Sequence, residues 1–181
     1  MEPVVGDKEA NIKKVLKMIE KAVGRNADIV CLPELWSTGY LALGDKIFDL
    51  AESIPGPTIN KLAEKARQHR IYIVAGSIIE RVYQDLTKPL RNTTVIIGPD
   101  GEIIGKYSKM HIWPPEQRWF EPGDSYPVFD TKFGKIGVVI CMDLNLPEPT
   151  RILAIQGAKI VFAPVAWYMY EDLYDLDTRA N

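Results

Sequence analysis

The 181 residues carry 22 basic and 24 acidic side chains, a net charge of −2, with 46% hydrophobic and 25% charged residues. This balance suits one globular domain with a sizeable core, and it lacks the broad positive field used to hold nucleic acid or an anionic membrane. No apolar stretch approaches the ~20 residues that span a bilayer, and Met1 to Lys8 has no basic-then-apolar signal pattern, so the expected location is the cytosol.

From Lys8 to Val23, Ile12, Val15, Leu16, Ile19 and Val23 recur at helical spacing, and the run stops at Gly24. A strand is predicted over Asp28 to Leu32. A second helix, Thr58 to His69, gathers Ile59, Leu62, Ala63 and Ala66 on one face, with Thr58 behind Pro57 as its cap. Ile71 to Ile79 reads as one buried strand. Thr93 to Ile97 and Glu102 to Lys106 form a hairpin around Pro99-Asp100-Gly101. Pro127 to Asp130, a turn at Lys132 to Lys135 and a strand at Ile136 to Ile140 follow. A helix from Glu148 to Gln156 ends at Gly157, and a last strand, Lys159 to Ala163, precedes Pro164. Pro55-Gly56-Pro57 and Trp113-Pro114-Pro115 mark loops. The alternation of helices and strands predicts a mixed α/β fold with helices on a sheet.

Chemistry concentrates just past the strands. Cys141 stands where the apolar run Gly137 to Ile140 gives way to Met142-Asp143-Leu144-Asn145; Glu34 follows Ile29 to Leu32 through Pro33; Lys106 and Lys109 follow Ile103-Ile104. In open α/β sheets the ligand crevice lies beyond such strand ends. Taken singly, a cysteine is usually a buried small hydrophobe and a glutamate or lysine a solvated charge. Three such residues in one chain carry more weight. The 2 cysteines, Cys31 and Cys141, do not resemble a secreted disulfide framework. With only His69 and His111 and no cysteine pair at ligand spacing, a metal site is not expected; neither is a phosphate-binding loop. No cofactor is implied.

The motifs L-P-E-L-W-S-T-G-Y (Leu32 to Tyr40), G-K-Y-S-K-M-H-I (Gly105 to Ile112), F-E-P-G-D (Phe120 to Asp124), I-G-V-V-I-C-M-D (Ile136 to Asp143) and L-P-E (Leu146 to Glu148) occur in this order. In these pieces the chain resembles the nitrilase superfamily of carbon-nitrogen hydrolases, over almost its whole length. The resemblance implies a four-layer α-β-β-α sandwich, incomplete in this chain, assembled from two such chains, with residues 1–181 forming a single partial domain. It implies Glu34 as general base, Lys109 as cationic partner and Cys141 as nucleophile, with Lys106 a bystander. The second active-site glutamate falls on Glu116, and Glu121 is its neighbouring competitor.

The implied reaction is hydrolysis of an amide or N-carbamoyl bond in a small molecule through a Cys141 thioester. An unperturbed thiol, with a pKa of about 8.5, needs help at neutral pH, and Glu34 and Lys109 are placed to give it. The Lys109 ammonium and the amide after Cys141 are candidate oxyanion donors. His111 is expected to make a supporting hydrogen bond, on the same side as Lys109 if that segment is extended. Trp113, Trp119 and Phe120 either line a pocket or pack, as do Trp167 and Tyr168 to Tyr170. Asp143, two residues after Cys141, resembles the amidase and carbamoylase branches, whereas true nitrilases usually continue Trp-Glu; nitrilase activity stays open as an alternative.

Set against the family, the chain reads as truncated at both ends: a strand is expected ahead of Met1 to Asp7, and Thr178-Arg179-Ala180-Asn181 resembles the start of an Arg-Ala-x-Glu-Asn region. A weak or inactive fragment serving as a binding or oligomer-forming module is therefore the second reading. A homo-oligomer is expected under either.

Overall fold

Helix α1 (Lys8–Val23) begins where Asp7 accepts a hydrogen bond from the Ala10 amide at 2.9 Å and closes at Gly24. Its buried Ile12, Val15 and Ile19 form one stripe. Strand β1 (Ile29–Cys31), the single turn α2 (Ile47–Leu50) and helix α3 (Pro57–His69) follow. The cap of α3 is Gly56 and not Thr58. Pro57 suits the first helical position, where no backbone donor is needed, and this places Thr58 inside the turn. There Thr58 donates its amide to Glu52 Oε2 at 2.9 Å and its hydroxyl to Glu52 Oε1 at 2.5 Å.

The computed structural model describes residues 1–40, 44, 46–85 and 87–166. Strands β2 (Tyr72–Val74), β3 (Ile78–Glu80), β4 (Arg91–Ile97) and β5 (Ile103–Ser108) join β1 in a five-stranded sheet; β1 runs parallel to β2, and β2, β3 and β5 all lie antiparallel to β4. Strands β6 (Val128–Thr131), β7 (Gly134–Val138) and β8 (Ile160–Phe162) form a second sheet, with helix α4 (Pro147–Ile155) between β7 and β8 in sequence. Among the described residues no helix is long and apolar enough to cross a membrane.

Two hydrophobic layers hold these parts together. The stripes of α1 and α3 pack with Ile73, Ala75, Val95 and Ile97 of the first sheet. Between the sheets, Val74, Ile96 and Tyr107 meet Phe129, Ile136, Val138 and Ile140. Two glycines permit close approach. A Cβ built on Gly105 would lie 2.4 Å from Phe129 Cε1, and one on Gly137 would lie 2.8 Å from Leu153 Cδ1 of α4. Helix α4 therefore packs on the outer face of the second sheet, so the layer order helix, sheet, sheet, helix arises among the described residues of one chain and does not require two, as the resemblance had implied.

The strand predicted over Ile71 to Ile79 is broken in two. Across Gly76, whose φ of 64° lies in the left-handed region, the register against β4 shifts by one residue, which is the signature of a bulge. The freed groups receive the loop that follows β1. Ser77 N donates to Pro33 O at 3.1 Å, Leu35 N to Ser77 Oγ at 3.0 Å, and Trp36 Nε1 to Ala75 O at 2.8 Å. A Cβ on Gly76 would stand 2.1 Å from Pro33 O. Gly76→Ala should therefore lower stability by about 2 kcal/mol or more, from left-handed strain plus the clash. Urea unfolding of the variant against the parent protein checks this, and an unchanged midpoint would refute it.

Candidate active site

Glu34 sits in the loop docked on that bulge, three residues beyond β1, and only 2% of it is exposed. Lys109 directly follows β5; its amide still pairs with Asn92 O of β4 at 2.9 Å. Glu116 lies in a short 3-10 turn, Pro114–Glu116. That turn is tied to the start of β4 by Leu90 N to Trp119 O and Glu121 N to Leu90 O, at 2.8 and 2.9 Å, and by the Arg91–Glu121 ion pair at 2.8 Å. These three segments converge on one ammonium. Lys109 Nζ donates to Glu34 Oε1 and to Glu116 Oε2, each at 2.9 Å, and neither Lys109 nor Glu116 has any exposure.

The carboxylates are fixed by further donors. Glu34 Oε1 also accepts from Asn92 Nδ2 at 2.9 Å and Oε2 from the Ala166 amide at 3.1 Å; Glu116 accepts from the Tyr40 hydroxyl at 2.6 Å and the Trp113 amide at 3.2 Å. Cys141 comes from the second sheet. Past β7 the pairing with the β8 side continues through Val139 N to Phe162 O and Cys141 N to Pro164 O, both at 3.0 Å. The chain then turns sharply at Cys141, with φ of 46°, into a 3-10 turn over Cys141–Asn145. The half-buried thiol lies near the Glu34 carboxylate, close enough to feel its charge. Leu35, directly after Glu34, has the same φ of 46°. Left-handed conformations in non-glycine residues are uncommon, and here two of them flank one site.

Electrostatics follow from burial. Glu34 is held above the ordinary carboxylate range, by desolvation first and by the Glu116 charge, against the opposing pull of Lys109. Burial lowers the Lys109 pKa, but the two carboxylates together outweigh it and keep the ammonium charged. The Cys141 thiol is pushed up to about 12, by burial first and then by the Glu34 carboxylate. Burial and the bond to Glu116 drive the Tyr40 hydroxyl upward as well. The resting arrangement is thus a neutral thiol facing a carboxylate of raised basicity, beside a permanent cation.

The remaining predicted residues separate. Lys106 pairs with Glu80, away from this cluster. Glu121 is engaged by Arg91, and so Glu116 is the second glutamate in contact with Lys109. The segment after β5 bends at Met110 and His111, so His111 does not share a side with Lys109; it turns to Asp143. Asp143 is fully buried, and its carboxylate is taken up by Tyr107, Ile140 and His111, a supporting arrangement. Phe120 belongs to a buried cluster with Leu35, Ile47, Ile79 and Leu90, and Trp119 packs against it. Trp113 is 40% exposed beside the Tyr40 ring, with centroids 6.3 Å apart. Trp167 and Tyr168 to Tyr170 lie outside the described residues. Cys31 and Cys141 are both free, and Cys31 is exposed on β1. Sequence reasoning missed Asn92 and Tyr40, although Tyr40 ends the motif that contains Glu34 and Asn92 is a polar residue in a strand buried along nearly its whole length.

Residues 1–180 match the carbon-nitrogen hydrolase family model. The chain is 40% identical over 167 residues to a nitrilase of Pyrococcus abyssi, covering 91% of this chain and 62% of that protein. It is 35% identical over 170 residues to the human omega-amidase, covering 88% and 59%. Among solved structures it is similar to the carbon-nitrogen hydrolase of Helicobacter pylori G27, with a TM-score of 0.85, 28% identity and coverage of 99% and 63%. It is also similar to Nit3 of Saccharomyces cerevisiae, described as a member of branch 10 of the nitrilase superfamily, with a TM-score of 0.82, 29% identity and coverage of 93% and 63%. The chain thus spans about three fifths of the length of these relatives. With the sandwich, the ordered motifs and the family match in agreement, the chain belongs to the carbon-nitrogen hydrolase family of the nitrilase superfamily.

Proposed function

We propose that this chain carries the Glu34–Lys109–Cys141 centre of an enzyme that hydrolyses a non-peptide amide or N-carbamoyl bond through a thioester on Cys141. The observation that carries the reading is the fully buried Lys109 ammonium held between Glu34 and Glu116, with the Cys141 thiol near that same Glu34.

Sγ of Cys141 attacks the carbonyl carbon as Glu34 takes the thiol proton. With the thiol held near 12, transfer accompanies attack and no thiolate waits beforehand. An ammonium has three donors; two of those on Lys109 face the carboxylates, and the third serves the developing oxyanion together with the amide after Cys141. The Cys141 amide itself is committed to Pro164 O. The tetrahedral species collapses as Glu34 returns its proton to the departing ammonia or amine. Water then yields a proton to Glu34, its hydroxyl attacks the thioester carbon, and the sulfur leaves and is reprotonated, giving the acid and the free thiol. Glu116 is the positioning partner of Lys109. The substrate is a small molecule, the protein works in the cytosol, and the working form is a homo-oligomer.

Cys141→Ala should abolish turnover and Cys31→Ala should leave most of it. Lys109→Ala should cost at least about a hundredfold in kcat, as the loss of an oxyanion donor does, while Lys106→Ala changes it little. Steady-state hydrolysis of a short primary amide by the four purified variants decides the assignment, and normal activity in Cys141→Ala would sink it.

Amides and carbamoyl compounds should be preferred over nitriles, given Cys141-Met142-Asp143 and the similarity to omega-amidases. The similarity to a protein named nitrilase makes the nitrile arm informative. Ammonia release is measured from matched amide, carbamoyl and nitrile substrates, with hydroxylamine added to trap the acyl-enzyme as hydroxamate. Ammonia from the nitrile alone reverses the preference.

The acid limb of kcat/KM should fall above the usual carboxylate range. Glu34 must be ionised to accept the proton, and burial raises its pKa, so activity is lost on acidification before an ordinary glutamate, with a pKa of about 4.3, would titrate. A pH–rate profile over the acid range checks this; a flat rate down to the ordinary glutamate value would count against Glu34 as base.

A further inference from the structure

Behind Cys141 lies a second polar cluster that the chemistry above does not use. The fully buried Asp143 carboxylate takes four hydrogen bonds: Tyr107 OH at 2.6 Å and Ile140 N at 2.8 Å on Oδ2, and His111 N and Nδ1, each at 2.9 Å, on Oδ1. Every donor belongs to a segment that carries a site residue. Ile140 immediately precedes Cys141, and Tyr107 and His111 bracket Lys109, two positions away on each side. Tyr107 adds a second link, accepting the Met110 amide at 3.3 Å. The Tyr126 ring stacks on both Tyr107 and His111, with centroids 5.9 and 6.4 Å away.

We propose that Asp143 and Tyr107 form a positioning clamp that locks the Cys141 turn to the Lys109 segment, so that loosening it slows both hydrolysis and the attack of the thiol on external electrophiles. Both halves rest on Glu34 as the base proposed above, but alkylation requires no amide substrate. Three physical points support the clamp. The left-handed Cys141 is strained and persists only where its surroundings hold it. Bonds to an ionised carboxylate are roughly twice as strong as neutral ones, and two of those on Asp143 come from backbone amides, which fix the path of the chain and not only a side chain. Finally, nucleophile and cation ride on different sheets, and apolar packing between sheets sets no angular relation between them. Glu34 accepts the thiol proton as the sulfur attacks an electrophile, so a thiol that drifts from its place beside that carboxylate reacts more slowly.

The test compares the parent protein with Tyr107→Phe and Asp143→Asn in three measurements: kcat and KM per site titrated by the acyl-enzyme burst, iodoacetamide alkylation of the Cys141 peptide followed by mass, and the thermal melt. Tyr107→Phe should lose about tenfold or more in kcat per titrated site, as a misplaced reacting group does, with KM nearly unchanged. Its Cys141 should alkylate several-fold more slowly, with a melting temperature close to that of the parent. Asp143→Asn should exaggerate both effects; should it fail to fold, Tyr107→Phe decides alone. A merely structural role lowers the titratable fraction and the melting temperature and leaves the rate per site alone, and that pattern overturns the clamp. So does unchanged alkylation in a folded Tyr107→Phe. A parent protein that alkylates at Cys141 but hydrolyses no amide rejects the proposed function, and the alkylation comparison still judges the clamp.

Discussion

A lysine ammonium with no exposure to solvent governs this molecule. Burying an isolated charge costs several kcal/mol even after relaxation, so Lys109 is tolerated only because Glu34 and Glu116 meet it at hydrogen-bonding distance. Two carboxylates against one cation leave an excess negative charge. It is spread over donors from Asn92, Ala166, Tyr40 and Trp113, each brought by a different segment. Removing one member exposes the others to the full penalty of an unmatched buried charge. The site is therefore assembled as a unit with the loops around it.

That requirement explains features that look costly in isolation. The first sheet gives up a continuous strand at Gly76 to seat the Glu34 loop. Leu35 and Cys141 both adopt left-handed backbone conformations beside the reacting groups. The turn with Glu116 is pinned to β4 by backbone bonds and an ion pair at its far end. Each of these irregularities serves the site: the Gly76 bulge seats the Glu34 loop, Leu35 directly follows Glu34, and the pinned turn carries Glu116. Strain of this kind survives where the surrounding contacts over-determine the conformation.

The sequence was legible where a local rule had one answer. The stripe of α1 and the stop at Gly24 fixed that helix at its observed limits, and the Pro99-Asp100-Gly101 turn set the β4–β5 hairpin. Glu34, Lys109, Glu116 and Cys141 could be named through ordered motifs, since each follows a recognisable strand or turn. What stayed hidden depended on partners distant in sequence. The bulge at Gly76 exists because of Pro33 to Trp36, some forty residues earlier, and a run of apolar residues with one glycine does not announce it. Thr58 resembled a cap because the carboxylate that claims it, Glu52, lies outside the helix. His111 seemed to align with Lys109 only if the segment were extended, and the pull of Asp143 across the sheet boundary is what bends it away.

The contact between Gly105 and Phe129 reaches further than packing. Glu34 and Lys109 are carried by the first sheet and the sulfur by the second, so the gap between Cys141 and Glu34 is measured through the interior of the sandwich. Gly105 lies on β5, four residues before Lys109, and the Phe129 ring occupies the space a Cβ would need. The absence of one carbon there lets the sheets close to their working separation. Residue size at an apolar position with no polar group of its own thus becomes a control on the spacing between Glu34 and Cys141, set in an interior layer that includes neither residue.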